Sequence, residues 1–192
     1  MLKNIIFFIV SVFSCYGCSS LNYGKPYGQI LFKEGGKTDS ISSYVQWNND
    51  YAVTVKHSDV NGAVAYNSNE YDVRFLKIHS NKVPMWGNAN KGDYLSMSGY
   101  PRKQQKQPTI REGNDIGKIT AHNKNDYRAV NTLIVKGMSG GPVFNVNNEV
   151  VGINIGYSLD KVNINGKLTN ISIYLPYNVI QSEWLKFKNQ TF

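Results

Sequence analysis

Short apolar segments, each interrupted after a few residues by glycine, asparagine or aspartate, fill the chain from residue 28 onward and constrain its fold most. Examples are YAVTVKH at 51–57 and YDVRFLKI at 71–78. This rhythm predicts short antiparallel strands joined by tight turns, as in an all-β sandwich or barrel. Near the end, YNVIQSEWLKFKN at 177–189 instead places apolar residues on one helical face. The sequence therefore predicts an all-β fold that ends in a single α-helix.

The first residues have the pattern of an export signal. An apolar run at 5–13 follows one lysine, and it is shorter than the roughly 20 residues that a transmembrane helix requires. We therefore expect 1–17 to be a signal peptide. Residues 18–28 are small and polar, and we interpret them as a tether.

The sequence CYGCSS at 15–20 resembles the lipobox of bacterial lipoproteins. The resemblance implies that Cys18 becomes the lipidated N-terminus, with Cys15 as a second candidate. It further implies an exported protein anchored to a membrane on its periplasmic or extracellular side. An ordinary secretory signal, and hence a secreted protein, is the alternative.

Cysteine content and charge exclude several other classes of site. Both cysteines of the chain lie in this leader, so we expect neither a disulfide nor a cysteine-ligated metal in the folded part. The formal net charge of +8 suits contact with anionic lipid headgroups. No nucleic-acid-binding motif accompanies the basic residues, and we expect no nucleic-acid partner.

A polar, proline-containing segment divides the remaining chain into two series of strand-like runs. It covers 102–114, and we interpret it as a linker. The first series, at 29–101, and the second, at 115–192, then form two halves of the protein. The second half includes the predicted helix.

Three glycines and a proline surround Ser139 in VKGMSGGPVFN at 135–145. Glycine reaches backbone angles closed to other residues, so the segment is either an elaborate turn or a support for the serine hydroxyl. Its G-x-S-x-G core also fits the nucleophile elbow of α/β-hydrolases, but that fold places its histidine after the serine. All three histidines precede Ser139, which excludes the elbow: His57, His79 and His122.

The string GMSGGP resembles the G-x-S-G-G-P of trypsin-like serine proteases, whose catalytic residues follow the order histidine, acid, serine. YAVTVKH resembles the family's segment that ends in the catalytic histidine, which implies His57 as the base. Asp72, followed by VRFLK, resembles the family's catalytic acid, although Arg74 stands where a small residue is usual. Because Asp72 follows His57 by only 15 residues, two other acids stay open as alternatives: Asp59 and Glu70. His79 and His122 lie in polar surroundings, and we expect them to be solvated.

The resemblance also implies a fold and a set of binding groups. The fold is two antiparallel six-stranded β-barrels of the chymotrypsin type with a C-terminal α-helix, and GDYLSMSGYP at 92–101 resembles the strand that closes the first barrel. The backbone N–H groups of Gly137 and Ser139 correspond to the oxyanion hole. The residues implied in substrate binding are Leu133, Lys136, Asn154, Ile155 and Gly156. The position of Leu133 favours an apolar or small side chain at the substrate residue before the cleaved bond.

The function implied by the resemblance is that of a serine endopeptidase acting on proteins or peptides through an acyl-enzyme. Such a mechanism requires no cofactor and no metal. Two alternatives come from other classes: an inactive trypsin-like scaffold that binds a partner protein, and a lipoprotein binding module with a coincidental motif. The sequence leaves the oligomeric state open.

Overall fold

The structure, a computed structural model, describes residues 19–21, 24–32, 40–58, 64–103 and 105–191. The predicted signal peptide, Cys15, Cys18 and Asp59 lie outside the described residues. Within the described ranges the elements are β1 (Ser19–Leu21), β2 (Tyr27–Phe32), β3 (Ser40–Gln46), β4 (Tyr51–Thr54), β5 (Val64–Asn67), β6 (Arg74–Lys77), β7 (Tyr94–Gly99), β8 (Thr109–Ala121), β9 (Lys124–Val130), β10 (Pro142–Phe144), β11 (Val150–Tyr157), β12 (Val162–Ile164), β13 (Lys167–Thr169), β14 (Ser172–Pro176) and α1 (Tyr177–Thr191).

The strands form two six-stranded antiparallel sheets. The N-terminal sheet has the order β1-β2-β3-β4-β6-β5, and the C-terminal strands close into a barrel of the order β10-β11-β14-β9-β8-β7. Strands β12 and β13 form a separate hairpin. The prediction of an all-β chain with a C-terminal helix is confirmed.

The division between the halves lies earlier in the chain than the sequence indicated. Strand β7, assigned from its sequence to the first half, pairs with β8 and β10 of the closed barrel. Residues 109–114, assigned to the linker, are the beginning of β8. The apolar pattern of a strand specifies which of its faces is buried but not which strand lies beside it, and this is why the boundary was misplaced.

The two halves share one hydrophobic core. The largest buried cluster includes Val53 and Phe75 from the first half and Ile153 and Leu175 from the second. A smaller cluster that includes Met138 fills the closed barrel. The surfaces of the two sheets therefore meet over a common apolar interface, and the residues at its edge come from both halves.

Helix α1 follows β14 directly and packs against the opposite half of the protein. The ring centroid of Trp184 lies 5.0 Å from that of Phe75 and 5.1 Å from that of Tyr51, both in the N-terminal sheet. Val179, Ile180 and Phe187 complete the buried face, as an amphipathic helix requires. Across the described residues, no helix has both the length and the apolar character needed to cross a membrane.

We expect replacement of Trp184 by alanine to destabilise the fold by about 3 kcal/mol, because it removes a large ring from an aromatic cluster. Leu185 is the matched control: its side chain is 54% exposed on the same helix, and Leu185→Ala should cost less than about 0.5 kcal/mol. Urea denaturation measures both free energies of unfolding. Equal losses in the two variants would contradict the described packing of α1.

Candidate active site

His57 and Asp72 lie at the same end of two neighbouring strands. Strand β4 ends three residues before His57, β6 begins two residues after Asp72, and the two strands pair with Thr54 opposite Arg74. Antiparallel pairing therefore brings the two side chains together. The His57 Nδ1 atom lies 2.5 Å from Asp72 Oδ2, and the His57 backbone N–H donates to Oδ1 at 2.8 Å.

This pair fixes the chemistry of the imidazole. An ionised carboxylate only accepts hydrogen bonds, so Nδ1 of the neutral ring carries the proton and Nε2 is an acceptor. Burial acts to raise the pKa of the Asp72 carboxyl. The hydrogen bond and charge of the His57 ring, together with the backbone N–H groups of His57 and Lys56, outweigh burial and hold that pKa below its ordinary value. The His57 side chain is 51% exposed and that of Asp72 13%, so the ring faces solvent while the acid lies behind it.

Glu70, one of the alternative acids, lies in a different environment. Its carboxylate accepts a hydrogen bond from Lys186 Nζ at 2.6 Å and lies 3.8 Å from Lys124 Nζ. Of the two described candidates, Asp72 is therefore the partner of His57. The other two histidines are both exposed, and His79 pairs with Asp50 at 3.2 Å.

The glycines around Ser139 are required by close packing of the turn. Gly137 and Gly140 have positive φ angles of 94° and 82°, a region that side chains disfavour. A Cβ atom on Gly140 would overlap the carbonyl oxygen of Ser43 and the hydroxyl of Thr54, and one on Gly141 would overlap the Ser98 carbonyl oxygen. The turn belongs to the C-terminal barrel, but at Gly140 its backbone lies against the first half with no room for a side chain.

Hydrogen bonds from β3 attach this turn to the first half. The Ser139 carbonyl oxygen accepts from the Ser43 N–H and the Ser42 hydroxyl, both at 2.8 Å. The Ser58 hydroxyl, next in sequence to His57, donates to the Ser42 hydroxyl at 2.9 Å. The segments that carry His57 and Ser139 are thus connected through the Ser42 side chain.

The Ser139 hydroxyl donates to the Ile155 carbonyl oxygen at 3.1 Å. Among the described residues, the hydroxyl donates to this acceptor and forms no hydrogen bond with the His57 ring. Catalytic hydrogen bonds are often absent or long in unliganded enzymes and form when substrate binds. In this state the hydroxyl is half-buried and directed at β11.

The backbone N–H groups of Gly137 and Ser139 have no acceptor among the residues that the structure describes. The neighbouring peptide is fixed instead: the Gly137 carbonyl oxygen accepts from the Ser43 hydroxyl at 3.0 Å, and the Met138 N–H donates to Val135 at 3.1 Å. The turn is therefore rigidly supported while two of its donors remain available.

The implied substrate-binding residues fall in two places. Leu133 and Lys136 are exposed on the segment before the turn. Ile155 and Gly156 lie on β11 beyond Ile153, the last β11 residue in register with β10. Asn154 is a correction: it is fully buried, and its amide donates to the Ser98 and Met138 carbonyl oxygens at 2.8 and 3.1 Å. Its backbone groups are also bonded to the turn, the N–H to the Gly141 carbonyl oxygen at 2.8 Å and the carbonyl oxygen to the Gly140 N–H at 2.7 Å, so Asn154 supports the turn and offers no group to a substrate.

A cleft of about 530 Å³ lies beside the His57–Asp72 pair. Its apolar and aromatic lining residues are Tyr71, Tyr127, Ile155, Tyr157 and Ile173. His122 also lies on its wall, and the Tyr127 hydroxyl accepts a hydrogen bond from the Asp72 N–H at 3.2 Å. These tyrosines could not be assigned to the site from the sequence, because nothing in an isolated segment indicates which cleft it borders.

The two packed halves, with a His–Asp pair from one and the serine turn from the other, define a trypsin-like architecture. The family model of the trypsin-like peptidase domain matches residues 31–153, a range that includes His57, Asp72 and Ser139. The chain belongs to this family.

Solved structures share the fold of this chain. The serine endoprotease from Yersinia pestis is 18% identical with a TM-score of 0.67, over 84% of this chain and 62% of that one. The active form of the Rv3671c protease from M. tuberculosis is 15% identical with a TM-score of 0.69, over 85% and 81%. The HtrA-type protease AlgW with a tripeptide is 16% identical with a TM-score of 0.66, over 84% and 62%.

At these identities the likeness shows the fold alone. This chain spans 62% of the length of the Yersinia pestis and AlgW chains. No curated protein matches it.

Two glycines with the same backbone angle test the packing of the turn. Gly140 and Gly166 both have φ of 82°, but a Cβ atom on Gly166 would meet nothing within 4 Å. Gly166→Ala should cost about 1–2 kcal/mol, the strain of the left-handed angle. Gly140→Ala should cost a further 1–3 kcal/mol or so from overpacking. Equal free energies of unfolding for the two variants in urea would contradict the close approach of the turn to β3.

Proposed function

We propose that the protein is a serine endopeptidase in which His57, Asp72 and Ser139 form the catalytic triad. The observation that carries the proposal is the two-point contact of Asp72 with His57, through Oδ2 to the ring and Oδ1 to the backbone N–H. It orients an imidazole acceptor at the edge of a cleft that is also lined by Ile155, whose carbonyl oxygen accepts from the Ser139 hydroxyl. Membership of the trypsin-like peptidase family supports the same reaction.

In the proposed reaction, the Ser139 hydroxyl attacks the carbonyl carbon of a substrate peptide bond. His57 Nε2 takes the hydroxyl proton and then gives it to the leaving amine, which produces an acyl-enzyme and a new amino terminus. Water, deprotonated by the same nitrogen, hydrolyses the ester. Asp72 remains ionised and stabilises the imidazolium. The N–H groups of Gly137 and Ser139 donate to the oxyanion, and one such donor lowers the barrier by roughly 3 kcal/mol.

Substrate binding has a specific task in this scheme, because the Ser139 hydroxyl must leave the Ile155 carbonyl oxygen. An extended substrate that adds to the free edge of β11 brings a backbone N–H to this acceptor. Competition for Ile155 then releases the hydroxyl toward His57. The exposed Leu133 favours a small or apolar residue before the cleaved bond, and the aromatic cleft favours an apolar residue further upstream.

One observation favours the alternative of an inactive scaffold, namely the hydrogen bond of the Ser139 hydroxyl to Ile155 in place of His57. A scaffold would retain that bond in the presence of a peptide. A probe of serine reactivity therefore separates the two functions.

We expect a fluorophosphonate to label wild-type protein on Ser139, as read by mass spectrometry of the labelled peptide. Ser139→Ala should not be labelled, and its kcat for peptide cleavage should fall at least about 10⁴-fold, as when other serine proteases lose a triad member. The matched control is Ser182→Ala, at an exposed serine of α1, which should behave as wild type. Folded wild type that neither takes the label nor cleaves any peptide of a random library would contradict the peptidase function and favour the scaffold.

We also propose that the mature chain is lipid-anchored at Cys18, on the strength of the lipobox-like CYGCSS segment. Cells fed a clickable fatty acid should label wild-type protein and Cys15→Ser, but not Cys18→Ser. Loss of the label in Cys15→Ser but not in Cys18→Ser would show that Cys15 is the lipidated residue. Unlabelled protein recovered from the medium would show secretion instead.

A further inference from the structure

The acid of the site is followed two residues later by a buried arginine with its own contacts to the His57 turn. We infer that Arg74 is a positioning residue for His57, an inference that rests on the proposed function. Arg74 is only 8% exposed, and a buried charge is stable only where it is paired or hydrogen-bonded.

Two hydrogen bonds of the Arg74 guanidinium go to the two neighbours of His57. Its Nη2 donates to the Lys56 carbonyl oxygen at 2.7 Å, and its Nη1 donates to the Ser58 carbonyl oxygen at 2.8 Å. Asp72 binds His57, the residue between them, through the His57 ring and the His57 backbone N–H. Three consecutive residues of the turn are therefore held from two residues of one short segment.

The buried residue between Asp72 and Arg74 explains how one segment does this. Val73 is fully buried in the shared core, Asp72 precedes it, and Arg74 is the first residue of β6. The apolar residue anchors the segment, while its two polar neighbours hold the turn. A displacement of this segment would move the acid and the base together.

Arginine suits this position for a geometric reason. Its planar guanidinium carries donors on separate nitrogens in a fixed fork and remains charged at all relevant pH values, whereas lysine has one nitrogen at the end of a flexible chain. Only the fork reaches two carbonyl oxygens on either side of a residue at once. Lysine would keep the charge and lose one of the two attachments.

The His57 turn needs such support because packing supplies little of it. The His57 side chain is half-exposed, so hydrogen bonds set its position. Ser58, held by Arg74, also donates to Ser42, which in turn donates to the Ser139 carbonyl oxygen. Arg74 thus fixes the distance of the base from both the acid and the nucleophile's turn.

The test compares wild type with Arg74→Met, Arg74→Lys and the control Lys77→Met, at an exposed residue of the same strand. Far-ultraviolet circular dichroism and urea unfolding establish that each variant is folded. In Arg74→Met, kcat for a cleaved peptide should fall roughly 10- to 100-fold with KM changed less than about twofold, because the base is misplaced and binding is not. Arg74→Lys should lie between wild type and Arg74→Met, and Lys77→Met should match wild type.

A spectroscopic readout makes the test independent of turnover. The proton shared by His57 Nδ1 and Asp72 should give a low-field resonance in the proton NMR spectrum of wild type and Lys77→Met. It should be shifted or lost in the Arg74 variants. Folded Arg74→Met with wild-type kcat and an unchanged resonance would overturn the inference, and if Arg74→Met does not fold, the same result for Arg74→Lys would do so.

The two proposals fail in distinguishable ways. Wild type without peptidase activity would contradict the proposed function, while the resonance comparison would still decide whether Arg74 positions His57. Active wild type with unaffected Arg74 variants would contradict only the present inference.

Discussion

The turn around Ser139 belongs to the C-terminal barrel, but strand β3 of the other half holds it, and the rest of the site depends on this contact. Two donors from Ser42 and Ser43 converge on the Ser139 carbonyl oxygen, and Gly140 lies so close to β3 that no side chain fits there. The two halves pack through the shared apolar core, and these hydrogen bonds fix the position of the turn relative to β3. A protein whose reacting groups lie on different halves needs such a contact to fix their separation.

Electrostatics then differentiates the groups that meet at this contact. Asp72 is mostly buried, yet hydrogen bonds from His57 keep its pKa low, so it remains a carboxylate that orients the imidazole. Arg74 brings a second, opposite charge to the same turn through carbonyl oxygens. Burial alone would penalise both charges. Their hydrogen bonds to the His57 turn offset that penalty, and the stability of the turn and the orientation of the base have the same origin.

The local sequence pattern predicted most of the strands and the main candidate residues of the site. The partner of each strand and the burial of each side chain could be determined only from the structure. Alternating apolar residues indicated the strands, and the order of His57, Asp72 and Ser139 indicated the likeness to serine proteases. The pattern could not assign β7 to the closed barrel, because alternating apolar residues do not indicate which strand lies beside them. It also placed Asn154 in contact with substrate, because the sequence does not show that this residue is buried. Ser42, Ser43 and Tyr127 were missed because each acts on residues at least 55 positions away in the chain.

The central claim, that one crevice joins the His57 imidazole, the Asp72 carboxylate and the Ser139 hydroxyl, is tested most directly by a crystal structure of the protein with a peptide boronate. The account predicts a covalent bond from Ser139 Oγ to boron, with His57 Nε2 within hydrogen-bond distance of the adduct. It also predicts N–H donors from Gly137 and Ser139 on a boronate oxygen, and a peptide N–H on the Ile155 carbonyl oxygen. A peptide seated on β11 with the Ser139 hydroxyl still donating to Ile155, and no bond to boron, would contradict it.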